Sequence, residues 1–295
     1  MHIKPSTDLR PSKRQFLATL GLVAAVLLAA AGSLAADSRG VTVAVTGDIF
    51  TPDVKVVSDV ILAHPAVAAV LLVGDTDNTK PTPLESYRKT YQGTYDRFMA
   101  KIFPCPGNHD QYSEPPFSAY CEFWGQAAHA PEMYYSLDLG GWHIVSLDSV
   151  TFALGGAKAE TQLAWFKRDL AAKPKVPTIV YWHYPYFSNA KHLGQPKMKP
   201  FWDAIRAHGP ALVFNGHNHV YERFAPMDSD GRKVPATEGI QEFVVGPGGS
   251  KPVDSESEKA KGPKSDKFHG GTQHVGFFTL QADGGFTFVI QSISG

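Results

Sequence analysis

Five apolar runs in this 295-residue chain each stop abruptly at residues that bind metals. Val41 to Thr46 stops at Gly47-Asp48, and Val67 to Val73 stops at Gly74-Asp75. Residues 101–104 run into Asn108-His109, Thr178 to Trp182 stops at His183, and Ala211 to Phe214 leads to His217 and His219. In open α/β sheets, sites form at the carboxyl ends of strands. Bare carboxylates and imidazoles are costly to bury unless paired or metal-bound. One Gly-Asp is a turn, and one histidine is a satisfied core residue. Five such endings in one chain describe a single polar site.

The elements between the runs set the fold class. Asp53 to His64 has helical apolar spacing at Val56, Val57, Val60 and Ile61, which makes residues 41–73 a β-α-β unit. Residues 84–100 read as a further helix. Tyr134–Leu139 and Trp142–Asp148 flank Gly140-Gly141 and predict a hairpin. Glu160–Lys173 is an amphipathic helix with Leu163, Phe166 and Leu170 on its apolar stripe, and Pro200–His208 is a short one. The last third is β-rich, at Ile240–Val245, Val275–Gln281 and Gly285–Gln291. Residues 246–271, mostly Gly, Lys, Ser, Pro and Glu, predict a mobile surface loop.

Composition excludes several classes. Hydrophobic residues are 43% and charged residues 19%, with 28 basic against 28 acidic side chains. Wholesale disorder and a multi-pass membrane protein are excluded, and no nucleic-acid-binding surface is written in the charge. Two cysteines cannot make a disulfide-rich fold or a four-cysteine zinc site. A Cys105–Cys121 disulfide and two free thiols both remain open.

Residues 1–35 read as a secretory signal. Lys4, Arg10, Lys13 and Arg14 precede an apolar run from Phe16 to Gly32, and Ser33-Leu34-Ala35 supplies a small-residue exit. Ser12 to Leu17 resembles a twin-arginine signal with Lys13 in place of one arginine. An anchoring helix is the alternative. The expectation is a periplasmic or secreted protein with a single domain over residues 36–295 and no membrane anchor after cleavage.

The order of the endings resembles the calcineurin-like metallophosphoesterases, and within them the purple-acid-phosphatase-like branch. The matching pieces are Thr46-Gly47-Asp48, Val73-Gly74-Asp75, Gly107-Asn108-His109-Asp110, Tyr181-Trp182-His183 and Asn215-Gly216-His217-Asn218-His219. The resemblance implies a four-layer α/β/β/α sandwich, two mixed β-sheets flanked by helices. It implies two metal ions sharing one carboxylate, and hydrolysis of phosphate monoesters by a metal-activated hydroxide. Carried over by residue, Asp75 bridges, Asn108, His183 and His217 complete the second metal, and Asp48 and His219 hold the first. His109 faces the substrate and stabilises or protonates the leaving oxygen, and Asp110, the next residue, is placed to orient that imidazole. Oxygen donors with imidazoles suit Fe, Mn or Zn.

The chain departs from the pattern at the first metal. The broad family has histidine two residues after its first aspartate, where Phe50 stands here; purple acid phosphatases have a tyrosine where Asn78 stands. Asn78 can supply an amide oxygen, water can fill the gap, or the first site is weak. The functional alternatives are a phosphodiesterase or nucleotide hydrolase on the same site, and a metal- or phosphate-binding protein that has lost turnover. Among the remaining polar residues, Tyr184 reads as packing or a phosphate contact, and Arg223 as a phosphate contact or a surface charge. Asp148 reads as a support for the site, His143 as structural, and His64, His129, His192 and His208 as solvated.

Overall fold

The computed structural model describes residues 40–293, so the secretory segment read above lies outside the described residues. Two mixed sheets carry the fold. The first contains β1 (Val41–Thr46), β2 (Val67–Val73), β3 (Ile102–Cys105), β11 (Gln273–Leu280) and β12 (Phe286–Ile293), in the order β12-β11-β1-β2-β3. Its β1, β2 and β3 are parallel, while β11 and β12 run antiparallel at one edge. The second contains β4 (Tyr135–Leu139), β5 (Trp142–Ser146), β6 (Thr178–Tyr181), β7 (Ala211–Asn215), β8 (Tyr221–Arg223), β9 (Ile240–Val245) and β10 (Lys267–His269). Its order is β10-β8-β9-β7-β6-β5-β4, with β5, β6, β7 and β9 parallel.

Strand alternation sorts the apolar side chains into three cores. Val43, Val45, Leu71, Val73, Ile179, Phe214 and Phe243 point between the sheets. Ala44, Val70 and Leu72 point outward, onto α1 (Val54–Leu62), α2 (Leu84–Tyr91) and α3 (Ser118–Trp124). On the other side Val145, Val180 and Val213 pack against α4 (Ser149–Leu154), α5 (Ala157–Ala171) and α6 (Lys199–His208). Strands buried on both faces need continuous apolar runs, which is why the strand ends were so legible. Each fully buried Val, Leu or Phe contributes roughly 1.5–3 kcal/mol. The expected α/β/β/α sandwich is what the chain forms.

Several elements differ from the expectation. The single helix over 84–100 is two pieces: α2 stops before Gly93, whose φ of +69° breaks it, and a 3-10 turn follows at Tyr95–Lys101. The short elements α3, α4, β8 and β10 carry too few residues for a periodic signal. In α5 the buried face holds Gln162, whose amide bonds both the N–H and the carbonyl of Asp148. Asp148 itself caps α4, accepting the amides of Val150 and Thr151 at 3.0 and 2.9 Å. Both cysteines are free thiols. No described helix is long and apolar enough to cross a membrane.

His143 is structural. Its two ring nitrogens lie 2.8 Å from Asp138 and Asp169. Burial pulls its pKa down, but the two carboxylates outweigh that and raise it. A raised folded value means that the stabilisation is full below the unfolded pKa and is lost as pH rises through the folded one. His143→Gln therefore costs about 1 kcal/mol near pH 6. The gap in melting temperature to the wild type narrows by pH 9; an unchanged gap would show that the pair is not ionic.

Candidate metal centre

Three of the expected ligands leave their strands through left-handed turns. Asp48, Asp75 and His217 have φ of +55°, +45° and +70°. Asp and His tolerate this region better than most residues, yet each such turn carries strain. The turn curls each side chain back over the strand end. The backbones must then approach closely: a Cβ on Gly107 would lie 2.0 Å from the Asp75 amide nitrogen and 2.2 Å from its Oδ1. Glycine is required there for space.

The result is one buried cluster. Ligand atoms of Asp48, Asp75 and His183 all lie within 4.8 Å of one another. His183 Nε2 is 3.3 Å from Asp75 Oδ1 and 3.1 Å from Asn108 Oδ1. His219 Nε2 is 3.6 Å from Asp48 Oδ1 and 3.3 Å from the Asn78 amide nitrogen. The His217 amide donates to the Asp48 carboxylate at 3.0 Å, and its ring centroid lies 5.1 Å from that of His183. The His109 amide donates to Asp75 Oδ1 at 2.7 Å. All seven expected ligands and His109 thus meet at one place.

The donor set fits a cation. His183 Nδ1 and His219 Nδ1 donate to the carbonyls of Val73 and Lys251, at 3.0 and 2.8 Å, which turns both Nε2 atoms inward. The His183 Nε2 lone pair, facing oxygens of Asp75 and Asn108, is repelled unless a proton or a cation sits between them. Burial alone would raise the Asp75 carboxyl, but the charge and hydrogen bond of His183 and the His109 amide hold it below the ordinary range. His183 is correspondingly raised, Asp75 overcoming the opposing effect of burial. His217 is pushed well below the usual histidine value by burial and by His183, so its lone pair is free to coordinate.

Asp110 stands behind this cluster and does not touch the His109 ring. It accepts from the Gly107 and Thr76 amides at 2.7 and 3.1 Å, the Thr76 hydroxyl at 2.7 Å and the Tyr87 hydroxyl at 2.5 Å. The His109 imidazole is held by the Thr79 carbonyl, 2.8 Å from Nδ1. Contrary to the expected contact with the imidazole, Asp110 braces the loop that carries Asn108 and His109. Arg223 is not at the site either, since its guanidinium lies over the Phe288 ring at 5.6 Å.

Residues 246–250 are buried, contrary to the expected surface loop. The Ser250 amide donates to the Asp48 carbonyl at 3.1 Å, and its hydroxyl meets the Asn78 amide. Only small residues permit this closure, because a Cβ on Gly246 would lie 2.7 Å from Asp48 Oδ2. The exposed His192 also reaches the site, its ring 4.7 Å from that of His217 and its backbone pinned by the Asn218 amide. The Tyr184 ring is 4.7 Å from His217.

The calcineurin-like phosphoesterase profile matches residues 41–221, which contain every residue of this cluster except the 246–250 strap. The chain belongs to that family. It is similar to purple acid phosphatase 15 of Arabidopsis thaliana, 28% identical over 55% of this chain and 37% of the relative. It is also similar to acid phosphatase type 7 of Mus musculus, 32% identical over 45% and 36%. The chain spans about two-fifths of the length of the curated relatives it matches. Two solved structures share the fold. GAP50, the anchor in the inner membrane complex of Plasmodium, superposes with a TM-score of 0.65 at 15% identity, over 86% of this chain and 85% of its own. Purple acid phosphatase PPD1 from yellow lupin (Lupinus luteus) seeds gives 0.64 at 14%, over 87% and 52%.

The tyrosine of the purple acid phosphatases has no replacement at position 78. Tyr91 donates its hydroxyl to the Thr76 carbonyl at 2.8 Å, and Tyr95 is buried in the core beneath α2. Iron-loaded protein should therefore show no visible phenolate-to-iron charge-transfer band. A band that disappears in Tyr184→Phe would instead put that residue on the metal.

Proposed function

We propose that the chain hydrolyses phosphate monoesters with two metal ions. The observation that carries this reading is the convergence of Asp48, Asp75 and His183 within 4.8 Å, beside an imidazole tied to Asp75 through its own amide. Asp48 and His219 would hold one ion and Asn108, His183 and His217 the other, with Asp75 shared. The Asn78 amide nitrogen faces His219 Nε2 at 3.3 Å while its buried Oδ1 has no hydrogen-bond partner, so a flip of the side-chain amide would turn that oxygen towards the first site. Bound Fe, Mn or Zn supplies Lewis acidity and a water of lowered pKa.

The chain's own residues do the rest. The Thr79 carbonyl holds His109 Nδ1–H, which leaves Nε2 as the ring atom that meets the substrate. In the reaction the attacking water gives one proton to solvent, its oxygen bonds to phosphorus and the ester P–O bond breaks. Its electron pair leaves on the alcohol oxygen, which takes the Nε2 proton of His109. His192 and Tyr184, both beside His217, are positioned to hold phosphate oxygens.

The monoester reading follows the relatives, which are named acid phosphatases. Rates on p-nitrophenyl phosphate and bis(p-nitrophenyl) phosphate test it. The monoester should react faster by about 100-fold or more, roughly 2.7 kcal/mol in barrier. The reverse order would make the chain a phosphodiesterase. No turnover of either with Fe, Mn and Zn supplied would favour a binding protein, the reading that Phe50 and Asn78 support.

A further inference from the structure

The Asn78 amide nitrogen touches two groups. It lies 3.3 Å from His219 Nε2 and also meets the Ser250 hydroxyl. No donor meets the buried Oδ1. His219 Nδ1 donates to the Lys251 carbonyl, so Nε2 carries a lone pair and the Asn78 N–H donates to it. That same lone pair is the one His219 would offer to the first ion. Two atoms bound to one ion at ordinary metal–ligand lengths lie about 3.0–3.4 Å apart, so the amide nitrogen stands in a ligand's place. An N–H repels a cation there, and an oxygen binds it. Turning the amide about its own axis exchanges the two atoms with no other movement.

Ser250 can hold either orientation, because a hydroxyl both donates and accepts. It accepts from the Asn78 N–H, and with the amide turned it donates to Oδ1. Its own place is fixed. The Ser250 amide donates to the Asp48 carbonyl at 3.1 Å, and its carbonyl accepts from Gln273 Nε2 at 3.1 Å. Gln273 is tied in turn to the Gly249 amide at 2.9 Å and to Asp53 Oδ2 at 3.1 Å. Ser250 is 1% exposed, so its hydroxyl and not bulk water meets the amide. A tyrosine oxygen would need no such partner, since a phenol has one heteroatom and no second orientation.

We propose that Ser250 is a positioning residue of the first metal site: its hydroxyl reverses with the Asn78 amide and holds Oδ1 on the ion. The proposal rests on the two-metal reading above. It gives the 246–250 strap a task beyond covering Asp48.

Zinc titration of the metal-stripped full chain by calorimetry tests it. The wild type should take two ions. Ser250→Ala should take one as the wild type does and the other about 10- to 100-fold more weakly, the usual cost of losing a group that orients a ligand. In an Asn78→Asp background the same substitution should cost about threefold or less, because either carboxylate oxygen can face the ion. Two ions bound equally well by wild type and Ser250→Ala, or an equal loss in both backgrounds, overturns the proposal and leaves the two-metal reading standing. A wild type that binds one ion or none overturns both. The side-chain NH2 resonances of Asn78, assigned by their loss in Asn78→Asp, give a readout in the unaltered chain. They should shift on zinc loading as the N–H groups leave His219 and Ser250. Resonances that stay in place through saturation overturn the proposal, even where Ser250→Ala fails to fold.

Discussion

Asp75→Asn should lower kcat/KM for p-nitrophenyl phosphate by about 1000-fold or more, which is about 4 kcal/mol of transition-state stabilisation. The substitution keeps the shape of the side chain, and its amide oxygen can still accept the His109 N–H. It removes the one carboxylate assigned to both ions. Asp75 is 2% exposed, so solvent cannot replace its charge. Metal content should fall together with activity. Near-normal turnover with full metal content would mean that Asp75 does not bridge.

His109→Asn should cost about 100- to 10,000-fold on an alkyl phosphate, the range of a lost general acid. The loss should be clearly smaller on p-nitrophenyl phosphate, whose phenolate departs without a proton. Metal content should not change, since the contact of His109 with the cluster is through its backbone amide. Equal losses on both substrates would point to a positioning role for the ring instead of proton transfer.

The metal centre was legible because its residues lie a few positions past strands buried on both faces. A continuous apolar run that stops at Asp or His places a costly polar group at the edge of the core, and repetition of that pattern marks a shared site. The left-handed turns at Asp48 and Asp75 were half-written, since Gly-Asp is a turn signal, but their inward direction depends on the second sheet. What the sequence hid was mostly backbone. The carbonyls of Thr79, Val73 and Lys251 orient three imidazoles, and a carbonyl carries no residue-type signal.

Two readings failed for geometric reasons. Asp110 follows His109 in the chain, but the two sit in a tight turn at residues 108–111, where the Gly107 amide draws the Asp110 carboxylate away from the imidazole. Its carboxylate therefore turns into the layer of Tyr87 and Thr76. Residues 246–250 have loop composition, yet that same smallness lets their backbone close over Asp48. His192 is exposed, as read, and its tie to the site, which runs through Asn218, links two loops far apart in sequence.

The central claim is that Asn78, in place of a tyrosine, still leaves room for a complete pair of metals. Elemental analysis of tightly bound metal per chain, on protein purified without chelator, tests it most directly. Two ions per chain among Fe, Mn and Zn are expected, falling to one or fewer in Asp75→Asn. One ion or none in the wild type, after all three metals have been supplied, would contradict the claim and move the chain to the metal- or phosphate-binding reading.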